Sequence, residues 1–495
     1  MAASKDPPQA TPPTPAPCRD LDPTDWAEFR RLAHGMLDVM IDHIETIRER
    51  PVWQSAPAAT RAVFNAPLPR GEGALADVLG TVAAHVTPYA TGNTHPRFMG
   101  WVHGAGTPVG MVAEMVAAGL NMNCGGRDHI GIEIERQITR WMADAVGYPA
   151  TASGIFVTGS SMANFLATIV AKTSALGAKT RADGVRAAEQ QLTAYTSVES
   201  HGCVAQAMEL AGLGSDQLRR IAVDGAGRIE MIRLEAAIAA DRAAGHRPFL
   251  VVGTAGSVNT GAIDDLAHLS RLAAREALWF HVDGAFGAMA VLSARLKPLL
   301  AGLEASHSIA FDFHKWGHVP YDAGFLLVRD GPAHKAAFAS PAAYLARAPR
   351  GLAAGETWPN DLGPDLSRGA RALKTWMTIA TLGADRMGAA IEANCDVAQY
   401  LAQRVAATPH LAMKAPVALN IVCFGVAGRH DGAINRDIVM DLHEAGIAAP
   451  SWTTIAGETV IRCAIVNHRT TRADIDIVVD AILQRADDWL AARND

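Results

Sequence analysis

Ile309-Ala310-Phe311-Asp312-Phe313-His314-Lys315-Trp316 is the stretch whose reading decides the fold. The apolar run Ile309–Phe311 has the length of a buried strand. It ends on a carboxylate, an imidazole and a lysine set among aromatic rings. A lysine beside a strand end in such company can lose its proton and attack a carbonyl carbon. A solvated loop lysine is the ordinary alternative.

Working outward, the same pattern recurs. Leu278–Val282 leads into His281-Val282-Asp283-Gly284-Ala285-Phe286-Gly287. An aspartate at the end of an apolar strand is costly to bury without a cationic partner, although it could also cap the next helix. Phe249–Val252 leads into Gly253-Thr254-Ala255-Gly256-Ser257, where small residues let the backbone approach a flat ligand or simply turn. The strand-like Leu192–Thr196 leads into Ser197-Val198-Glu199-Ser200-His201. Gly154–Val157 leads into Thr158-Gly159-Ser160-Ser161-Met162-Ala163-Asn164, which opens a helix through about Ser174. Hydroxylic residues at a helix N-terminus suit a phosphate, and equally an ordinary cap. Downstream, Phe325–Val328 reads as one more strand.

Strands alternating with helical stretches from about 106 to 330 predict an α/β fold with a mainly parallel sheet. Loops at the carboxyl ends of such strands converge on one crevice. All five stations fall there, and their order carries more weight than any one of them.

The rest of the chain is consistent with a globular enzyme. Of 495 residues, 49% are apolar and 19% charged, with a net charge of −6. No basic run points to nucleic acid, no apolar run is long enough to span a bilayer, and no signal-peptide core opens the chain. The six cysteines are scattered, as free thiols of a reducing compartment would be, so a cytoplasmic protein is expected. No metal site is expected. Residues 1–20, rich in Pro, Ala and Thr, read as a disordered tail. From about Asp25 to Arg50 an apolar stripe of Phe29, Leu32, Met36, Met40, Ile44 and Ile47 predicts a long helix that needs a partner surface. The expected division is an N-terminal helical segment over 21–105, a large domain over 106–380 and a smaller α+β domain over 381–495. In the last, Leu419–Phe424 and Thr459–Ile465 read as strands, and Asn435–Glu444 and Arg472–Ala491 as helices.

In this order the stations resemble the group II pyridoxal 5′-phosphate (PLP) decarboxylases, which include aromatic amino acid, histidine and glutamate decarboxylases. The resemblance runs from about residue 25 to 490. It also includes Thr94-His95-Pro96-Arg97-Phe98, Glu133-Ile134-Glu135 and Val460-Ile461-Arg462. It implies a PLP fold type I enzyme with a seven-stranded type of sheet. It further implies a homodimer with shared active sites, whose N-terminal helices wrap the partner. By the same resemblance Lys315 forms the Schiff base, Asp283 pairs with the pyridine nitrogen, and His201 stacks on the ring. Ala285 would pack the opposite face, while Ser160, Ser161 and His314 would contact the phosphate. Ser257 falls where the family often has Thr, and Asp312 where it has Asn or Asp.

The implied reaction is decarboxylation of an L-amino acid, aromatic in the favoured reading, to the amine and CO₂. One departure concerns the family's mobile loop, where a tyrosine often reprotonates the α carbon. Between Tyr344-Leu345 and Leu366-Ser367-Arg368 this chain has no tyrosine. Trp358 lies closest to the expected position, and an indole N–H is a poor acid. Related enzymes without this tyrosine can couple decarboxylation to oxidative deamination and release an aldehyde. His201 and Tyr344 are the alternative proton donors. Trp101 suggests an aromatic wall in the substrate pocket, Asn121 and Asn123 a polar one. An aminotransferase or desulfurase on the same fold, and a degenerate binding protein, are the readings from other classes. The retained Lys315 and Asp283 argue against the last.

Overall fold

A computed structural model of the chain describes residues 21–339, 346–355, 357–428 and 432–491. The N-terminal tail and Tyr344 lie outside the described residues.

Seven strands form the central sheet: β1 (Ser153–Val157), β2 (Leu192–Ser197), β3 (Leu218–Ile221), β4 (Arg247–Thr254), β5 (Trp279–Asp283), β6 (Ser308–Asp312) and β7 (Gly324–Val328). Their spatial order is β1-β7-β6-β5-β4-β2-β3. The pairs β2–β3, β2–β4, β4–β5 and β5–β6 are parallel, while β7 runs antiparallel to both neighbours, β1 and β6. Six strands therefore point the same way. The sheet is mainly parallel, and its inner strands are apolar on both faces because helices cover both. Every residue of β2, β6 and β7 is buried. The carboxyl ends of β1, β2, β4, β5 and β6 share one edge, and each carries one of the five sequence stations.

A second, antiparallel sheet has the order β10-β11-β9-β8. Its strands are β8 (Leu411–Met413), β9 (Ile421–Val426), β10 (Ser451–Ile455) and β11 (Glu458–Ala464). Helices Ala384–Ala406, Ala433–Glu444 and Arg472–Ala491 pack on it around Leu401, Phe424, Ile438, Ile461 and Val479.

Residues 44–57 and 89–491 make one compact unit, and 21–43 with 58–88 make another. The segment 89–105 therefore goes with the main body and not with the helical segment that sequence grouped it with. The reason is backbone pairing: Phe98 bridges Ala449, Met99 N donates to Ala449 O at 2.9 Å, and Ala464 N donates to Met99 O at 2.8 Å. The first long helix is Trp26–Glu45, followed by a short turn Ile47–Glu49. Arg50 is extended because Pro51 follows it. No residue of Trp26–Glu45 or of the helix Leu75–His85 is buried.

Candidate active site

The strand ends surround a cavity of about 400 Å³. One wall starts at β1. Its chain turns through an extended Gly159 and enters the 17-residue helix Ser160–Leu176. The turn lies so close to β7 that a Cβ on Gly324 would sit 2.3 Å from the Gly159 Cα. Ser160 is buried and donates through Oγ to Asp312 Oδ2 at 2.8 Å, while Ser161 is exposed on the cavity wall. The helix N-terminus thus presents backbone N–H groups and positive potential to the cavity.

The floor is formed by the ends of β5 and β6. Asp283 is 4% exposed and accepts from Ala285 N at 3.1 Å; the Cys203 thiol approaches its other oxygen at 4.0 Å. Burial pushes the Asp283 carboxyl up, against the opposing pull of Lys315. Lys315 Nζ pairs with Asp312 Oδ2 at 2.9 Å. Burial alone would lower its pKa, but Asp312 and Asp283 together hold it above the ordinary lysine value. His314 Nδ1 accepts from Ala323 N at 3.0 Å, leaving Nε2 to face Asp312 Oδ2 at 3.7 Å. Burial lowers this imidazole to about 4, so it is neutral at physiological pH. His201 is exposed at the cavity, and its Nδ1 accepts from Cys203 N at 3.1 Å.

The mouth is aromatic. The His103, Phe98 and Trp101 rings form a triangular cluster, with centroids 5.7 Å (His103–Phe98), 5.6 Å (His103–Trp101) and 6.2 Å (Phe98–Trp101) apart, and Tyr321 stands near-perpendicular to His103 at 6.2 Å. Trp101 has a left-handed backbone, φ 50°, and its carbonyl accepts from Arg462 Nη1 at 3.0 Å. Arg462 is buried and also holds the carbonyls of Val258 and Asn259, so β11 positions the mouth.

A family model described as the pyridoxal-dependent decarboxylase conserved domain matches residues 57–427, well over half of the chain. The chain belongs to the pyridoxal-dependent decarboxylase family. It is 29% identical over 462 residues to an aromatic-L-amino-acid decarboxylase of Bacillus atrophaeus, covering 90% of this chain and 93% of that one. It is 26% identical over 466 residues to a phenylacetaldehyde synthase of Arabidopsis thaliana, covering 90% and 93%. Among solved structures it resembles the glutamate decarboxylase domain of a diaminobutyrate-pyruvate transaminase and L-2,4-diaminobutyrate decarboxylase of Vibrio parahaemolyticus. That match has a TM-score of 0.83 and 25% identity, covering 93% of this chain and 96% of that one. As a member of this decarboxylase family, the protein is a PLP-dependent amino acid decarboxylase.

The cavity suits the cofactor of a pyridoxal-dependent decarboxylase on three counts. Its volume is in the range of small-molecule sites. A deeply buried carboxylate, Asp283, calls for a cation such as a pyridinium. Two buried wall oxygens, Asp312 Oδ1 and Thr254 Oγ1, have no partner among the described residues.

Of the residues singled out from sequence, Ser160, Ser161, His201, Asp283, Ala285, Asp312, His314, Lys315 and Trp101 all line the cavity. Ser257 does not: its hydroxyl bonds Thr260 Oγ1 at 3.0 Å, while its neighbours Gly256 and Val258 face inward. Three expected substrate contacts stand elsewhere in this chain. Asn121 is the left-handed C-cap of the helix Pro108–Leu120. Asn123 Oδ1 accepts from Gly125 N and Arg368 N at 3.0 and 3.1 Å. Trp358 is 1% exposed, with Arg127 and Arg347 guanidinium groups 4.9 and 4.5 Å from its ring centroid and its indole N–H on Ala354 O. In this chain its ring is buried and does not reach the cavity. Sequence reasoning passed over His103, Cys203, Thr254 and Tyr321. For Tyr321 a signal existed, since it follows Lys315 by six residues in a run of small and aromatic residues.

Proposed function

We propose that this decarboxylase acts on an aromatic L-amino acid and releases the amine. The observation that carries the reading is Asp283, Asp312 and Lys315 on the floor of a cavity whose mouth carries the aromatic rings of Trp101, His103 and Tyr321. In this reading PLP is held by Lys315, by Asp283 at the ring nitrogen and by Ser160, Ser161 and His314 at the phosphate. Bound there, PLP supplies an electron sink conjugated to the substrate nitrogen.

The chain's own residues do the rest. Asp283 stays ionised only when a positive group faces it, so its burial ties its charge to a cationic ring nitrogen. Asp312 pins Lys315 Nζ and accepts Ser160 Oγ–H, linking the lysine to the helix N-terminus. His201 and Ala285 close opposite faces of the slot. The aromatic mouth orients a ring-bearing side chain and excludes water from the reacting carbon. Aromatic specificity is also that of the Bacillus relative by its name.

Aldehyde formation is the second reading. It is favoured by the absence of tyrosine between Leu345 and Leu366, and by the relative named as an aldehyde synthase. A screen of the common amino acids for CO₂ release, with product and oxygen measured together, tests both. Amine without oxygen use supports the primary reading. Aldehyde with ammonia and peroxide replaces it, and release of CO₂ only from acidic or basic substrates removes the aromatic assignment.

The proposal extends to a homodimer in a reducing, cytoplasmic compartment. Phe29, Val39, Ile41, Phe64 and Leu68 of the helical segment are each more than a third exposed, an apolar surface that a second copy would cover. The five described cysteines are buried free thiols. Sedimentation giving a monomer at micromolar concentration would remove the dimer.

A further inference from the structure

Asp283 ends a line of polar groups that runs behind the cavity floor. Trp279, His281 and Asp283 alternate along β5 and so share one face of the sheet. Trp279 Nε1 donates to Ser308 Oγ at 2.9 Å, and that oxygen lies 2.8 Å from His281 Nδ1. His281 Nε2 lies 2.7 Å from Asn164 Oδ1, on the helix Ser160–Leu176. Asn164 Nδ2 donates to Cys203 Sγ at 3.3 Å, and Cys203 Sγ stands 4.0 Å from Asp283 Oδ2, the outer reach of a thiol donor. Ser308, His281, Asn164 and Cys203 are all buried. Of the line, only Cys203 and Asp283 touch the cavity.

The two ends set its direction. An indole N–H can only donate, and a carboxylate can only accept. Burial lowers His281 to about 3, so its ring is neutral and carries one proton. With Trp279 on one lone pair, the Ser308 hydroxyl gives its proton to Nδ1. Nε2–H then goes to Asn164 Oδ1, and the Asn164 amide gives to the sulfur. Burial pushes the Cys203 thiol up to about 12, so it keeps its proton; the Ser161 hydroxyl also turns to the sulfur, which leaves the S–H to Asp283. Every member thus donates towards the carboxylate. The opposite tautomer puts Nδ1–H on the Ser308 carbonyl at 3.1 Å, turns the Asn164 amide over and draws the S–H away from Asp283. A buried charge at the end of the line favours the first.

We propose that this one-way line of donors holds Asp283 ionised from behind and so keeps the cofactor's ring nitrogen protonated, with Cys203, Asn164, His281 and Ser308 as positioning residues. The inference rests on the reading that places Asp283 at that nitrogen. Burial works against the charge on Asp283, and it is opposed by Lys315, by the Ala285 N–H at 3.1 Å and by His201, while Asp312 adds to the burial. Once Lys315 is joined to the cofactor its charge is engaged there. The Ala285 N–H and the Cys203 thiol are then the described protein donors that face the carboxylate. Linked hydrogen bonds in a low-dielectric interior polarise one another, so a cut far from Asp283 is felt at its oxygen.

The test is the nitrogen NMR resonance of ring-labelled PLP in the loaded protein, followed against pH. Asp283→Asn should leave the ring nitrogen unprotonated near neutral pH; if it does not, the placing of Asp283 fails and the inference with it. Where that control holds, Cys203→Ala should lower the pH at which the nitrogen loses its proton by about one unit, the tenfold change expected for one hydrogen bond to a charge. Ser308→Ala, at a residue that touches neither Asp283 nor the cavity, should move it the same way, because His281 then takes the opposite tautomer. Each substitution removes a single heavy atom and keeps the packing. Cys203→Ser, which retains a donor, should hold the wild-type value. No shift in Cys203→Ala, or a shift there that Ser308→Ala does not share, would overturn the proposal.

Discussion

The floor and the mouth of the catalytic cavity are built from different materials. Asp283 and Asp312 end adjacent parallel strands and are 4% and 1% exposed. Their positions follow from sheet register, and any shift would break the ladder of β4, β5 and β6. Trp101 is 56% exposed, and Tyr321 is 47% exposed. They sit on irregular chain held by side-chain bonds from afar, such as that of Arg462 to the Trp101 carbonyl. In the proposed reading the floor fixes chemistry with rigid backbone, and the mouth selects substrate with rings that can be exchanged without touching the sheet.

The largest separation should appear at Asp283. Asp283→Asn keeps the shape and removes the charge, and kcat should fall about 10²–10³-fold, the usual cost of deleting one electrostatic contact to the reacting system. Thermal unfolding without cofactor should show no loss of stability, because a buried carboxylate is removed. Unchanged turnover would dissolve the distinction between floor and mouth.

Trp358 offers the converse case. If its ring is packing and not mouth, Trp358→Ala should cost about 3–5 kcal/mol of stability, the range for a fully buried aromatic ring. The ratio of kcat/KM between aromatic and aliphatic substrates should stay constant. A change in that ratio without loss of stability would return Trp358 to the substrate pocket.

Acid should weaken the floor before the mouth. His281, on β5, bonds Asn164 Oδ1 at 2.7 Å and Ser308 at 2.8 Å, and burial lowers it to about 3. It is therefore neutral when folded and charged when unfolded between pH 3 and the ordinary histidine value of about 6.5. The stability it contributes is complete above that upper value and is lost as pH falls towards 3, amounting to a few kcal/mol in order of magnitude. Denaturant melts across that window should show a slope to which other buried neutral histidines such as His314 also contribute, and His281→Gln should make it shallower by about one proton's share. A slope unchanged by the substitution would assign acid sensitivity elsewhere.

The smallest effect is expected at the mouth. Trp101→Ala should raise KM for an aromatic substrate about tenfold, as for loss of one ring contact, and change stability by less than about 1 kcal/mol. A collapse of kcat instead would make the ring part of the catalytic machinery.

This division also governed what could be read in the sequence. The floor was legible because each buried strand is an uninterrupted apolar run that ends where chemistry begins, as at Phe311-Asp312 and Val282-Asp283. Helix Arg472–Ala491 was legible to the residue from its periodicity. Strand β3, Leu218-Arg219-Arg220-Ile221, was not, because it is a short edge strand with two arginines. That Trp358 and Asn123 do not line this chain's cavity was not legible, because distance along the chain does not say which way a loop folds. The Arg127 and Arg347 contacts with the Trp358 ring and the Arg368 bond to Asn123 are ones no local pattern announces. His103 was invisible for the same reason, since its role depends on rings assembled by the chain near Ala449 and β11.

The most direct test of the account is to reduce the PLP-loaded protein with borohydride and map the cofactor's mass among its peptides. The label should fall on the peptide containing Lys315 and disappear in Lys315→Ala, with CO₂ release falling at least about a thousandfold. A label on another lysine, or one that survives the substitution, would contradict it.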